Sequence, residues 1–527
     1  MRKKLIAIVL LAAMVLSLAA CGDKKKPGTI AYEVSDEPVS ITYYYANGGN
    51  GVEQYTQQVE DKLNEILHGM DGYEHITIEL HPGSSYARDL MLAQSTGEQV
   101  DLVSTYGLDT STMITNGDFI PLDGLMEQFP DATSELPDWI VDYGKINGTQ
   151  YYIPTYQQAA NLTYFLIPQE YVDMYMKAYN KTRDDISNAI THGTMDDKLD
   201  FLEDLVLAVR DATHSKTKWI FPTEYWADNL LSNVFFNQEY IANQQFGNYI
   251  LREGADGPEY WGYTEDFKKL MERFAKWYKE GLLHNDCTTV NYHKFVGANF
   301  LNDEAYVNWF KTDTCTEEYM EKYYTEEYGI PMAAFRVTDH AYIPSEWEAG
   351  GHAIYADCEH PAEAMMIIEL LRSKKGKEFY NTLVYGLEGI HWQWEDKEND
   401  RIITLEYDGP QGGTTYTCYK WNTGNVFNAW KNQSVKDGFY EYIVDGVEKG
   451  ADTVFSPAMG IFWDTSNIKN QMIQVNAIQG EYGKTIYVAK DWEARYNEYI
   501  DKLKKAGIQD ILDEFNRQYQ EHLKSKQ

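Results

Sequence analysis

Ile41-Thr42-Tyr43-Tyr44-Tyr45-Ala46 runs directly into Asn47-Gly48-Gly49-Asn50-Gly51, after which Tyr55, Val59, Leu63, Ile66 and Leu67 recur at helical spacing. A β-branched and aromatic run, a cluster of turn formers and a 3.6-residue apolar stripe read as strand, loop and helix. The order then repeats. Ile76 to Leu80 predicts a second strand, Arg88 to Ser95 a short helix, and Val100 to Ser104 a third strand entered through Gly97-Glu98-Gln99. Strands that alternate with helices build an α/β fold on a parallel sheet. In such sheets the loops at the carboxyl ends of the strands converge on a crevice, which here would hold Asn47, Gly48, Tyr106 and Asp109.

Helical stripes dominate further on. Leu199, Leu202, Val206 and Val209 mark one helix; Phe267, Leu270, Met271, Phe274 and Trp277 mark another that ends before Gly281, a residue suited to the left-handed position after a helix. Pro361 stands at a first-turn position ahead of Ala364, Met365, Ile367, Ile368 and Leu371. At the carboxyl end Trp492, Tyr496, Ile500 and Leu503 are followed by a break at Gly507, then by Ile508, Ile511, Leu512, Phe515 and Tyr519. The stretch from Gly386 to Gly424 differs: it is rich in Gly, Thr, Tyr and Trp, with Arg401 to Leu405 as a strand between turns, and reads as an inserted β element.

The amino end has its own logic. Arg2, Lys3 and Lys4 precede an apolar run from Leu5 to Ala20, which closes on Leu18-Ala19-Ala20-Cys21. That run is shorter than the ~20 residues a membrane-crossing helix needs, and its small terminal side chains suit a peptidase groove. The expectation is a lipoprotein export signal over 1–20, cleaved before Cys21, whose sulfur carries diacylglycerol; each buried methylene adds ~0.8 kcal/mol to membrane attachment. Residues 21–38, with Lys24-Lys25-Lys26-Pro27-Gly28, lack the apolar surface to fold alone and read as a flexible linker. The protein is then expected outside the cell, lipid-anchored at the outer face of the cytoplasmic membrane. Nearly five hundred residues remain, more than the ~250 to 300 at which a single core stops growing, so at least two lobes are expected.

Composition narrows the partner. A net charge of −35 argues against nucleic acid, whose phosphates need clustered Lys and Arg, and favours a neutral or cationic ligand. Much of the 42 Tyr and 13 Trp must be core, but some need not be, and flat apolar faces with polar tips match the alternating C–H and hydroxyl surface of a sugar. Cys287, Cys315, Cys358 and Cys418 form no C-x-x-C pair and admit three disulfide pairings or free thiols. The 12 histidines form no zinc motif; neither metal nor cofactor is expected.

Short motifs in consistent order carry a resemblance. They are the Cys21 signal, Gly97-Glu98 with Asp101, Ile120-Pro121-Leu122-Asp123, Asn147-Gly148 with Tyr152-Ile153-Pro154, Trp277-Tyr278-Lys279-Glu280-Gly281-Leu282, and His360-Pro361 with Glu363-Ala364-Met365. In these the chain resembles the extracellular solute-binding proteins of ABC importers, carbohydrate type (family 1). Glu388-Gly389-Ile390-His391-Trp392, Trp421 with Gly424-Asn425, Gly460-Ile461-Phe462 and Lys505-Ala506-Gly507-Ile508 are similar to a lipoprotein branch of that family with its own C-terminal extension. The resemblance covers nearly the whole mature chain and departs at 386–424, where Cys418 and its Thr-rich surroundings have no counterpart.

The resemblance implies an α/β fold of the periplasmic-binding-protein-like type II class: two α/β lobes, a hinge and a ligand cleft between them. Lobe 1 is expected over 39–153 and 348–460, including the insertion near 386–424; lobe 2 over 154–347 and 461–527. A sugar or oligosaccharide would be held in the cleft by a monomeric protein and delivered to ABC permease subunits. Ligand-binding candidates are then Asn47, Tyr106, Asp109, Tyr156, Gln157, Trp226, Trp309, Glu346, Trp347, Trp463 and Asp464. Tyr156 and Gln157 follow Pro154 where the family's chain leaves the first lobe, Trp309 and Trp347 lie near expected crossings, and Asp109, Glu346 and Asp464 could accept bonds from hydroxyls. Two other classes stay open at this level: a peptide- or amino-acid-binding lipoprotein, and a surface glycoside hydrolase with two carboxylates about 5 to 9.5 Å apart.

Overall fold

The computed structural model describes residues 32–526 apart from 47–51, 84, 147, 158–161, 221–234, 242–247, 286, 289–308, 314–315, 346–349, 406–415, 417, 434, 436–437, 442–452 and 484. Cys21, Cys315 and the export signal lie outside the described residues. The chain first lays down β1 (Val39–Ala46), α1 (Val52–His68), β2 (Ile76–Gly83), α2 (Tyr86–Thr96), β3 (Leu102–Ser104), α3 (Thr110–Asn116) and β4 (Ile153–Pro154). It then builds β5 (Leu162–Pro168), α4 (Gln169–Tyr179), α5 (Met195–Thr213), β6 (Gln238–Tyr240), β7 (Tyr249–Arg252), β8 (Glu259–Tyr260), α6 (Glu265–Lys279), β9 (Trp309–Asp313), α7 (Glu317–Tyr328) and β10 (Met332–Arg336). Next come β11 (Ala341–Ile343), β12 (Gly351–Ile354), α8 (Pro361–Arg372), α9 (Lys377–Tyr385), β13 (Trp392–Asp396), β14 (Arg401–Thr404) and β15 (Thr453–Phe455). Three helices close the chain: α10 (Lys469–Tyr482), α11 (Trp492–Lys505) and α12 (Ile508–Ser525).

Two large cores separate two lobes. The first gathers Ile41, Tyr43 and Tyr45 of β1, Val59, Leu63 and Leu67 of α1, and the apolar side chains of α8 and α9. Tyr44 points to the opposite face and packs with Leu90 and Ala93 of α2, so β1 is covered on both sides, as a parallel strand requires. Asp101 fastens the sheet by accepting from Thr42 N and Oγ1 at 2.9 and 3.0 Å, which gives the Gly97-Glu98 and Asp101 motif a structural role. The sheet order is β2-β1-β3-β12-β4. β1, β2 and β3 are parallel as expected, but β12 runs antiparallel to β3 and β4. The reason is connectivity: β12 re-enters from the second lobe at the carboxyl edge and has to run back down the sheet.

The second core joins α5, α6 and the three-stranded sheet β8-β7-β6 to the terminal helices α10 to α12. α6 buries Phe267, Leu270, Met271, Phe274 and Trp277, is capped by Thr264 Oγ1 accepting from Phe267 N, and is followed by Gly281 at φ +68°. Gly507, at φ +88°, makes the break between α11 and α12. α5 opens with a capping box of Thr194 and Asp197. The sheet β9-β5-β10 completes this lobe. Among the described residues, no disulfide joins any two of Cys287, Cys358 and Cys418.

Lys198 of α5 is buried and spends its ammonium on two carbonyls, Val337 O at 2.9 Å and Phe235 O at 3.3 Å. Burial lowers its pKa from the ordinary 10.5 to about 8. Between these values the unfolded chain holds the proton that the folded chain has released, so this lysine makes stability rise with pH across that window. Lys198→Met is expected to flatten the rise, measured as the difference between wild-type and variant thermal midpoints from pH 8 to 10; parallel curves would refute the assignment.

Candidate functional site

The topology of the first sheet makes one edge special. β1, β2, β3 and β4 all end there, and β12 begins there. The loops after Ala46, Gly83, Ser104 and Pro154, and the returning Gly350-Gly351, are therefore neighbours. Asn47 belongs to the first of these loops and lies outside the described residues. Tyr106 is 39% exposed, an unusual state for a ring in the middle of a fold. Its loop is held from below, because the Tyr86 hydroxyl donates to the carbonyls of Ser104, at 2.9 Å, and of Tyr106. Asp109 caps α3: its carboxylate accepts from Thr112 N at 3.1 Å and from Thr112 Oγ1 at 2.8 Å.

The chain returning from the second lobe is stitched to the same loop. Thr105 N donates to Gly351 O and Gly351 N donates to Thr105 Oγ1, both at 2.8 Å, while Thr155 N donates to Gly350 O at 3.0 Å. Gly350 has φ +67°, and a Cβ placed on it would sit 2.5 Å from Tyr106 N and 2.8 Å from Tyr106 Cα. Gly350→Ala therefore has to push backbone against backbone. It is expected to cost about 2 kcal/mol or more of stability and to shift the Tyr106 loop, which urea denaturation and ligand affinity would both register; a variant of wild-type stability would contradict this packing.

The inserted segment reaches the same edge. Tyr419 is 45% exposed, and its phenol pKa is raised first by burial and then by the proximity of Tyr106. Two partly exposed tyrosines, one from the loop after β3 and one from the insertion, thus lie within electrostatic reach of each other. Just beyond, the insertion pairs with the departing chain: Tyr156 N donates to Gly424 O at 2.9 Å and Val426 N donates to Tyr156 O at 3.0 Å. The Tyr156 ring is buried in the first core, edge-on to Phe427 at 4.8 Å. Gln157 is half-buried at the start of the crossing.

The remaining candidates are dispersed. Trp463 is buried in the second core against Phe515, with ring centroids 5.5 Å apart. Asp464 is exposed, and its backbone is bound by the Gln518 side chain, which accepts from Asp464 N and donates to Asp464 O, both at 2.8 Å. Trp309 begins β9 opposite Leu166, whereas Asp313 faces Leu162 where β5 starts after the crossing. Four residues of strand, about 13 Å, separate Trp309 from that crossing end. Trp226, Glu346 and Trp347 lie outside the described residues.

Sequence reasoning missed the groups that brace the edge. Arg372 ends α8 with 0% exposure, and its guanidinium donates to the carbonyls of Ile153 and of Pro154, the latter at 3.1 Å, where the chain leaves the first lobe. Arg372 Nη1 also meets His352 Nδ1 at 3.1 Å, and His352 Nε2 lies 2.7 Å from the Tyr43 hydroxyl. Burial lowers the Arg372 pKa to about 9; burial and the guanidinium together push His352 well below its ordinary range, which keeps its ring neutral. Among the described residues, no group of three or more His, Cys, Asp or Glu is placed to hold a metal, and no helix is long and apolar enough to cross a membrane.

Known proteins place this geometry. Residues 457–524, which include α10 to α12, match a domain of unknown function, DUF3502. Over 181 residues the chain is 29% identical to a carbohydrate ABC transporter substrate-binding protein of Streptococcus pneumoniae serotype 4, covering 34% of this chain and 35% of that protein. The match thus spans about a third of the relative's length. The crystal structure of an N-glycan transport solute binding protein (NgtS) from Streptococcus pneumoniae superposes over 93% of this chain and 100% of its own, with TM-score 0.67 at 19% identity. Structures of that protein in complex with Man1GlcNAc and Man5GlcNAc give TM-scores of 0.60 and 0.58 at 19% and 20% identity, covering 92% and 93% of this chain and 99% and 100% of theirs. An HMO binding ABC-transporter associated solute binding protein from Bifidobacterium longum infantis gives 0.57 at 12% identity, over 92% of this chain and 99% of its own. The fold is therefore that of the two-lobed type II solute-binding proteins.

Proposed function

We propose that this chain is the substrate-binding protein of a carbohydrate ABC importer, capturing an oligosaccharide between its lobes and handing it to the permease unaltered. One observation carries the reading: Tyr106 stands partly exposed on the edge where four strands end and the crossing chain passes, with a second partly exposed ring, Tyr419 of the insertion, within electrostatic reach of it, in a solute-binding fold. Exposed rings cost the free protein apolar hydration, and a sugar's C–H face relieves that cost when it stacks on them. In this reading carbonyls of that edge, and Asp109 with the lone pairs left over from capping α3, accept from its hydroxyls. Micromolar capture needs about 8 kcal/mol net, within reach of two stacked rings and several satisfied hydroxyls. Glycans named for the similar structures, mannosyl-N-acetylglucosamine oligosaccharides above all, are the first ligands to try.

In this reading the protein performs no chemistry on its cargo, and Cys21 carries the lipid that keeps it at the outer face of the membrane. The described amino-terminal segment supports a tether that leaves from the first lobe. Tyr32 N donates to Gln128 Oε1 at 3.2 Å, Gln128 Nε2 donates to Tyr32 O at 2.8 Å, and Ser35 N donates to Glu363 Oε1 at 2.6 Å.

Calorimetric titration of the mature chain with mannosyl-N-acetylglucosamine oligosaccharides, fructo-oligosaccharides, milk oligosaccharides and short peptides tests the proposal. Saturable binding of at least one oligosaccharide, recovered at its original mass, is expected. Binding of peptides alone, or recovery of cleaved glycan, would overturn it.

A further inference from the structure

The crossing between the lobes contains a two-stranded ribbon. β11 pairs in parallel with β15, Ala341 opposite Thr453 and Ile343 opposite Phe455, and Ser456 N donates to Ile343 O at 2.9 Å. The two lobes hold this ribbon in different ways. From the first lobe the contact is mainly a ring surface: Trp139 meets Phe455 edge-on with centroids 5.4 Å apart, Tyr143 packs on Ile343, and the Tyr143 hydroxyl donates to Pro344 O. Rings slide and tilt at little cost, and a hydrogen bond to a carbonyl tolerates a change of angle.

From the second lobe the contact is a buried carboxylate. Glu239 of β6 is 2% exposed and receives the N–H and O–H of Ser345, the O–H of Ser456, and the Tyr342 hydroxyl at 3.3 Å. All these donors are uncharged. Burial raises the Glu239 pKa while the donors oppose that rise, as expected for a carboxylate whose only compensation is a full set of hydrogen bonds. Just before that strand, Asn237 Nδ2 donates to Glu253 Oε2 at 3.0 Å. The same carboxylate oxygen lies 2.7 Å from His340 Nε2, just before β11 begins. The outgoing strand is thus fastened at 340, 342 and 345, and the returning strand at 456, all to one lobe.

We infer that Glu239 is a positioning residue that locks the β11–β15 ribbon to the second lobe, so that opening and closing bend the molecule where Trp139 and Tyr143 meet that ribbon. Every donor that leaves Glu239 would be stranded in a dry site, so the lock breaks only at a cost. Among the described residues, the ring contacts and the Tyr143 hydrogen bond from the first lobe carry no comparable penalty. Motion therefore concentrates there.

Hydrogen exchange and small-angle scattering on the full mature chain test the lock, and neither needs a ligand. Glu239→Gln, which keeps the shape but replaces one acceptor oxygen by a donor, is expected to speed exchange at the amides of Tyr342, Ile343 and Ser345 and of Val454 to Ser456 by tenfold or more. Amides of β1 and α1 should be unchanged, and the scattering profile should broaden toward more varied lobe separations. Should Glu239→Gln fail to fold, the double variant Ser345→Ala with Ser456→Ala removes two of the donors and should give the same pattern. Tyr143→Phe should change the distribution of lobe separations while leaving exchange at Ser345 and Ser456 at wild-type rates. Equal acceleration throughout the second lobe would reduce Glu239 to a general stabiliser and overturn the inference; so would unchanged ribbon exchange, or Tyr143→Phe loosening the ribbon as much as Glu239→Gln.

Discussion

Replacing Tyr106 and Tyr419 together by alanine is expected to weaken oligosaccharide binding about a hundredfold while leaving the thermal midpoint within a degree or two of wild type. The two effects separate because both rings are already partly in water, 39% and 45% exposed, and belong to neither main core, so the folded state loses less than the bound state when they go. The bound state loses more. Two rings that cover a sugar's faces remove on the order of 100 Å² of apolar surface from water, which at about 25 cal/mol per Å² contributes about 3 kcal/mol. That energy corresponds to the hundredfold change in Kd. Calorimetric titration of the double variant beside the two single variants measures it. Affinity equal to wild type would remove these tyrosines from the site and, with them, the argument for this edge.

The second large effect falls on stability. Arg372→Ala is expected to lower the free energy of unfolding by about 4 kcal/mol, read from urea denaturation. Its guanidinium serves two carbonyls at the exit of the first lobe and one nitrogen of His352, and removing it leaves those groups buried and unserved around a cavity. One term acts the other way: the guanidinium sits in a site that lowers its pKa to about 9, so deleting it also relieves a buried charge. The cavity and the stranded carbonyls outweigh that relief because the charge already has three partners. Arg372→Lys should recover only part of the loss, since a point ammonium cannot span the fork that reaches Ile153 and Pro154 together. A loss below about 1 kcal/mol for Arg372→Ala would show that the exit strand is held by other groups.

The sequence was most legible where a local signal and a global role coincide. The strand from Ile41, the helix stripe of Phe267 to Trp277, and the breaks at Gly281 and Gly507 each have a local cause that the structure retains. Strand direction has no such cause. Nothing in Gly351 to Ile354 marks it as antiparallel, because direction follows from where the crossing chain arrives. α10 escaped notice for another reason: its buried face is Met472, Val475, Gln479 and Tyr482, one member being polar, while Ile473 stands 52% exposed and blurs the stripe.

Site reading divided in the same way. The position of Tyr106 and Asp109 at the carboxyl edge of the sheet is legible because they follow a predicted strand in an α/β sheet, and loops after strands converge. Tyr419 was not singled out, since it lies in the Gly386 to Gly424 stretch that lacked any counterpart, and only the folded chain brings it within electrostatic reach of Tyr106. Loop context, nearness to a crossing and a neighbouring motif do not say whether a tryptophan ring faces a cleft or a core; the Trp463 ring is in a core. Arg372 and Glu239 look like ordinary charges at the end of a helix and on a short strand. Their importance comes from complete burial, a property of the packed chain rather than of the residue type.

The most direct test of capture between two lobes is small-angle scattering of the mature chain with and without the oligosaccharide that calorimetry selects. The account predicts a fall in the radius of gyration at saturation, with one glycan bound per monomer. A saturated protein whose scattering profile matches that of the empty one would contradict it.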